Sequence, residues 1–177
     1  MNITFKELVK TAPPIIQAKL EQLKTMRERP DYHPEENCYE HIKIVTERLI
    51  ETGDIDLILA GMLHDICKLD TMRINPKTGF PTSPGHDDAA YKLIEGNTSI
   101  KNWIVANKGT VQIVADICLN HMRFHQLPNM RAMKKDAQVQ AWKQKGILNK
   151  LEIFGAADNM LATFDLNNLE KSWKNIP

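Results

Sequence analysis

Apolar residues recur at helical spacing through most of this chain, and sustained alternation of period two appears nowhere. Residues 13–29 read as a charged amphipathic helix, with Ile15, Ile16, Leu20 and Leu23 on one face and Pro14 near its first turn. Residues 39–52 place Ile42, Val45 and Leu49 together and stop at Gly53. Asp54 then caps the run IDLILAGMLHDI, which is apolar nearly all round and predicts a buried helix. Between Asp70 and Gly85 the breakers Asn75-Pro76, Gly79, Pro81 and Pro84-Gly85 predict a loop, with a short hairpin over 76–79. Helix resumes after His86 (AAYKLIEG) and again from Thr110 (VQIVADICLNHM). A polar stretch with Pro128 follows, then helices over 134–145 and 148–163. Leu166, Leu169 and Trp173 close the sequence in a tail that packs on the core or on a second copy. The pattern predicts an all-α bundle forming one domain over 1–177, with its core at about 32–162.

Composition narrows the function without naming it. A chain of 177 residues with 42% hydrophobic residues can bury a real core. Its 23 basic and 22 acidic residues leave a charge of +1, so no global field draws it to nucleic acid, and long-duplex binding is not expected. The opening residues lack the apolar run of a signal peptide or a membrane span. Cys38, Cys67 and Cys118 are odd in number and lack CxxC spacing, as in reduced thiols of a cytoplasmic protein. Cys118 lies three residues before His121 and so shares a helix side with it, which leaves a ligand role open.

Candidate chemistry comes from His41, the pair His64-Asp65, His86, His121 and Asp158. Imidazoles and carboxylates are the donor set of a hydrolytic divalent metal. An ionised Asp65 among Leu, Ile and Met needs compensation, and a cation supplies it. His41 shares a face with Val45 and points inward. Asp158 interrupts an apolar helix beside Gly155, Ala156 and Ala157, whose small size lets another element approach. Each residue alone could be a satisfied core group or a cap. Six in one chain favour a metal site, and with Asp65 bridging, His86 and His121 could hold a second ion beside the first.

The motifs around these residues carry a resemblance. His33-Pro34-Glu35 is followed by His41. Residues 63–68 read LHDICK, Gly85-His86 is followed by Ala90, Lys92 and Leu93, His121 precedes His125, and Ala157-Asp158 closes the set. They resemble the HPE…H, HDxGK, GH…A…L, H…H and AD elements of the HD superfamily. The likeness runs over about 32–162 and is greatest to the HD domain at the C-terminal end of some bacterial tRNA nucleotidyltransferases, the CCA-adding enzymes. It implies an all-helical metal-dependent phosphohydrolase with 2′,3′-cyclic phosphodiesterase, 2′-nucleotidase and phosphatase activity. By motif, His41, His64, Asp65 and Asp158 would hold a first metal, and Asp65, His86 and His121 a second. The ions would be Mn, Ni, Co, Fe, Zn or Mg. Asp65 and Lys68 would be catalytic, with Lys68 meeting the phosphate. Cys67 stands at the usual glycine of HDxGK. The Gly-Ser and paired-Asp elements of a nucleotidyltransferase are absent, so the expectation is the hydrolase half alone.

The expected chemistry is in-line attack on phosphorus by a metal-activated hydroxide, with a nucleotide or RNA-end phosphate as substrate. Arg123 and His125 follow His121 closely and could contact that phosphate or protonate the leaving oxygen, with a solvated surface charge as the equal alternative for Arg123 and His125 similarly balanced. Arg73 and Lys77 sit in a loop that could cover the site. Arg131, Lys134 and Lys135 either guide the substrate or form an ordinary solvated face. Tyr39, Tyr91, Trp103 and Phe124 are candidates for base contact. Two alternatives stay open: a mononuclear 5′-nucleotidase or deoxynucleoside triphosphate hydrolase, in which His86 and His121 serve substrate phosphates, and a metal- and nucleotide-binding sensor without turnover.

Overall fold

In the computed structural model, residues 3–27, 29, 31 and 33–169 are described. Asp54 accepts hydrogen bonds from the backbone of Asp56 (3.0 Å) and Leu57 (3.4 Å). That cap starts α4 (Ile55–Leu63), whose residues from Asp56 to Leu63 are all buried. It lies between α3 (Cys38–Ile50) and α8 (Val111–His125), and α6 (His86–Gly96) and α10 (Leu148–Asp158) pack against α8. These five helices form the centre of the all-α core, to which residues outside them such as Ile16, Leu20, Ile104 and Trp142 also belong. Two glycines set its tightness. A Cβ on Gly61 would stand 2.8 Å from Leu49 Cδ1, and one on Gly155 only 2.5 Å from a ring carbon of Phe124. The small residues around Asp158 thus admit α8 at close range. Gly155→Ala is expected to destabilise the fold by about 1–3 kcal/mol through overpacking, measured by urea denaturation.

Several boundaries differ from the sequence pattern. The helix expected over 13–29 is α2 (Pro14–Leu23), which ends at Leu23, and another helix, α1 (Phe5–Thr11), precedes it. Thr4 and Glu7 form a capping box on α1, ahead of the region where the apolar pattern begins. A further helix, α7 (Thr98–Ala106), is capped by Asn97. The apolar helix stops at Leu63. His64 closes it, and a turn through Cys67 leads into the single-turn α5 (Lys68–Thr71). Helix α9 covers Ala132–Gln144, and α10 ends at Asp158 instead of reaching 163.

The expected hairpin is present. Strand β1 (Arg73–Ile74) pairs antiparallel with β2 (Pro81–Thr82), with Arg73 opposite Thr82. The turn is closed by Asn75, whose carbonyl accepts from Gly79 N (2.8 Å), with Gly79 at φ +73°. Leu166 and Leu169 are half-buried, while Trp173 falls outside the described residues. Among the described residues no helix is long and apolar enough to cross a membrane.

Candidate metal centre

Five elements each deliver one part of a buried cluster. His41 comes from the first turn of α3, and His64-Asp65 from the end of α4. His86 opens α6 directly after Gly85, whose φ of +77° is a conformation glycine adopts at little cost. His121 lies on α8, and Asp158 is the last residue of α10. Each of the four imidazoles is oriented through Nδ1. His64 donates to Gly61 O (2.9 Å), His86 to Ser83 O (2.6 Å), His121 to Cys118 O (2.6 Å), and His41 to Glu35 Oε1. With Nδ1 engaged in this way, every Nε2 faces inward, as in imidazoles that bind metals.

The Nε2 atoms fall into two groups joined by Asp65. In the first, His41 Nε2 lies 2.9 Å from Asp158 Oδ1, and His64 Nε2 lies 3.3 Å from His41 Nε2 and 3.2 Å from Asp65 Oδ2. In the second, His86 Nε2 lies 3.0 Å from Asp65 Oδ1 and 3.2 Å from His121 Nε2. Asp65 therefore presents one oxygen to each group. Its Oδ1 is buried without a hydrogen-bond partner among the described residues. Both groups, His41/His64/Asp158 and Asp65/His86/His121, are compact enough to hold an ion. The imidazole-carboxylate donor set and the orphaned oxygen fit a divalent transition metal.

The electrostatics favour positive charge at this point. Burial opposes the charged form of His41, but the Asp158 and Glu35 hydrogen bonds outweigh it and push its pKa up to about 9. Burial opposes charge on His64 too, and the Asp65 and Asp158 carboxylates raise it to about 10. Burial works against ionisation of Asp65 and Asp158. The charge on His64 overcomes it in both, with Lys68 helping at Asp65 and the hydrogen bond from His125 at Asp158, so both stay well below the usual carboxylate range. His121 goes the other way: burial, joined by repulsion from His64, lowers it.

Beyond the cluster, Lys68 Nζ lies 2.7 Å from Asp65 Oδ2 and lines the adjoining cavity. His125 shares that wall and sits with Nε2 2.7 Å from Asp158 Oδ2. Arg123 does not. It is exposed and reaches Gln138 Oε1 (3.5 Å), because on α8 it is rotated roughly 200° from His121 while His125 shares that face. Cys118 also stays out, its thiol directed at Ala60 O (3.8 Å). Arg131, Lys134 and Lys135 are exposed on or beside α9, away from the cavity. Arg73 and Lys77 are exposed on the hairpin, and its far strand contributes Pro81 and Thr82 to the cavity wall. Cys67 has φ −104° and ψ 10°, a conformation open to any residue, so the backbone here does not require the glycine of the HDxGK pattern.

Two supporting residues have roles that their sequence positions do not assign. Glu35 accepts from both His41 Nδ1 and His33 Nδ1 (3.0 Å), and those hydrogen bonds overcome burial to hold its pKa at about 2. Its place in His33-Pro34-Glu35 is the one signal that points to it. Arg48 Nη1 donates to Ala157 O (2.9 Å) and Asn159 O (3.1 Å), which ties the backbone on both sides of Asp158 to the helix that carries His41. No sequence signal marks it.

The family model of the HD domain matches residues 36–163. The chain belongs to the HD-domain family, whose members are generally metal-dependent hydrolases that bind divalent metals. It is also similar to the multifunctional CCA proteins of Acinetobacter baumannii strains AYE, SDF and ACICU. Each is 23% identical over 105 residues, which cover 59% of this chain and 24% of the relative. The chain thus spans about a quarter of the length of the curated relatives it matches. No solved structure matches it.

Proposed function

We propose that the chain is a binuclear phosphohydrolase acting on nucleotides or RNA ends, with 2′,3′-cyclic phosphates as its substrate class. The observation that carries this reading is Asp65, whose two oxygens are divided between two buried His-containing groups. His41, His64, Asp65 and Asp158 would hold one divalent ion, and Asp65, His86 and His121 the other. Such ions polarise phosphoryl oxygens and lower the pKa of water. Lys68 adds a fixed positive charge beside Asp65, where a phosphoryl oxygen can meet it. His125 donates from Nε2 to Asp158 Oδ2 (2.7 Å) and stands on the cavity wall, the place from which it would serve a leaving oxygen. We take the chain as one HD domain. Its three free, buried cysteines support a reducing, cytoplasmic setting.

The test is metal content per chain, by elemental analysis of wild type and His86→Ala, with the same samples assayed on 2′,3′-cyclic AMP and deoxynucleoside monophosphates. About two ions falling to about one, with loss of cyclic-ester hydrolysis, is the expected result. One ion in both proteins with monophosphate turnover would point to the mononuclear nucleotidase. No metal in either after reconstitution would remove the enzyme reading.

A further inference from the structure

The cavity above the His/Asp cluster has a volume of about 550 Å³, the size of a site for one small organic ligand. Its lining joins the His/Asp cluster, Lys68 and His125 to an apolar set, Met26, Met122, Met160 and Leu161, with Pro81 from the hairpin strand β2 and Pro84 just after it. The three methionines come from three separate segments, each tied to the cluster. Met122 follows His121 on α8, and Met160 follows Asp158 by two residues. Met26 accepts the backbone N–H of Cys38 at its carbonyl (3.0 Å), which fixes it to the start of α3, three residues before His41. The same backbone that sets the His/Asp cluster therefore sets the thioethers.

The aromatic residues expected to meet a base are elsewhere. Tyr39 packs edge-on against Phe5 (5.7 Å between centroids), Trp103 donates to Thr11 Oγ1 (3.2 Å), and Phe124 lies against Trp142 (5.9 Å). Tyr91 is absent from the wall as well, so among the described residues the cavity offers no aromatic side chain outside its histidines. Among the described residues, a ligand here meets flexible, polarizable thioethers that favour contact with aromatic rings rather than Tyr, Trp or Phe. Cationic side chains are scarce: besides Lys68 the wall carries Arg29, which is paired with Asp31 (2.6 Å) and lies 5.8 Å from the Phe80 ring. Among the described residues, a polyphosphate would find no row of lysine and arginine side chains along the lining.

Building on the phosphohydrolase reading, we propose that Met26, Met122 and Met160 form a thioether subsite for the aromatic ring of a phosphate ester. It would select aryl- or nucleobase-bearing esters with one phosphate group over small aliphatic esters and over polyphosphates. The test uses the full chain carrying methionine labelled with ¹³C at the methyl group, loaded with Zn²⁺ and titrated with 1-naphthylphosphonate or methylphosphonate, neither of which is hydrolysed. The methyl signals of Met26, Met122 and Met160, assigned by single Met→Leu substitutions, are expected to move upfield with the naphthyl compound only. Met133, 80% exposed on α9, should stay in place. In kinetics, Met160→Gln is expected to lower the ratio of kcat/KM for 1-naphthyl phosphate to that for methyl phosphate about tenfold. The proposal is overturned if the naphthyl compound fails to bind, if it binds without moving these three signals, or if methylphosphonate moves them equally. Failure of the hydrolase reading registers separately, as no turnover of either ester by the metal-loaded wild type, because the methyl shifts are read without turnover.

Discussion

Asp65→Asn is expected to abolish phosphoester hydrolysis and to take bound metal below one ion per chain. In the proposed centre each carboxylate oxygen serves one ion, and an amide nitrogen in either position offers no lone pair and no charge. The substitution also acts on the metal-free fold. Asp65 lies against Lys68 (2.7 Å), His86 (3.0 Å) and His64 (3.2 Å), and the positive charge around it keeps it ionised despite full burial. Removing that negative charge is expected to destabilise the metal-free protein by about 3–5 kcal/mol, the usual scale for losing one partner of a buried ion pair. For a chain of this size that is roughly a 10 °C drop in Tm, read by circular dichroism. Elemental analysis after dialysis gives the metal result. A variant that keeps one tightly held ion would show that Asp65 serves only one of the two groups.

Much of this centre is legible in the sequence, because its chemistry sits in residue types rather than in geometry. His41, His64, Asp65, His86, His121 and Asp158 are conspicuous in apolar helices, where such groups need compensation. Their convergence does not follow from spacing, since five elements contribute. The end of α4 departs from the pattern for a physical reason: the apolar run of IDLILAGMLHDI continues through Ile66, which is buried, while the backbone turns after Leu63. Burial and helicity part company there, and periodicity reports only burial. Helix α7 is short and polar at its start, yet Asn97 caps it and Ile100, Trp103 and Ile104 are spaced for one face, so its signal lies in the cap more than in the apolar run. For Arg123 helix geometry alone decides, because a residue two positions after His121 faces away from it. Glu35 and Arg48 act through contacts between distant segments, and the three methionines meet only at the cavity, so their sequence neighbourhoods carry no mark of them beyond the HPE motif.

Opposite pH trends are expected for the metal-free and metal-loaded protein above pH 6.5. In the metal-free fold His41 and His64 have pKa values raised from 6.5 to about 9 and about 10. Their protonated forms are favoured by folding, so the stability they contribute is fully present below pH 6.5 and is lost as pH rises through 9 and 10. Asp65 and Asp158 are shifted down, so their contribution is present above 3.8 and is lost as pH falls through their depressed values. The Tm of the metal-free protein should therefore be highest between about pH 4 and 6.5 and decline toward 10. Metal binding requires the lone pairs at Nε2 of His41 and His64, so each ion taken up at that group displaces as many as two protons. Apparent affinity is then expected to rise by up to about 100-fold per pH unit between 6.5 and 9. Calorimetric titration with Mn²⁺ in two buffers of different ionisation enthalpy counts the released protons directly, and melting curves of both forms over the same interval give the slopes. Parallel slopes, or uptake without proton release, would show that His41 and His64 do not bind the ion through the nitrogens that face Asp158 and Asp65.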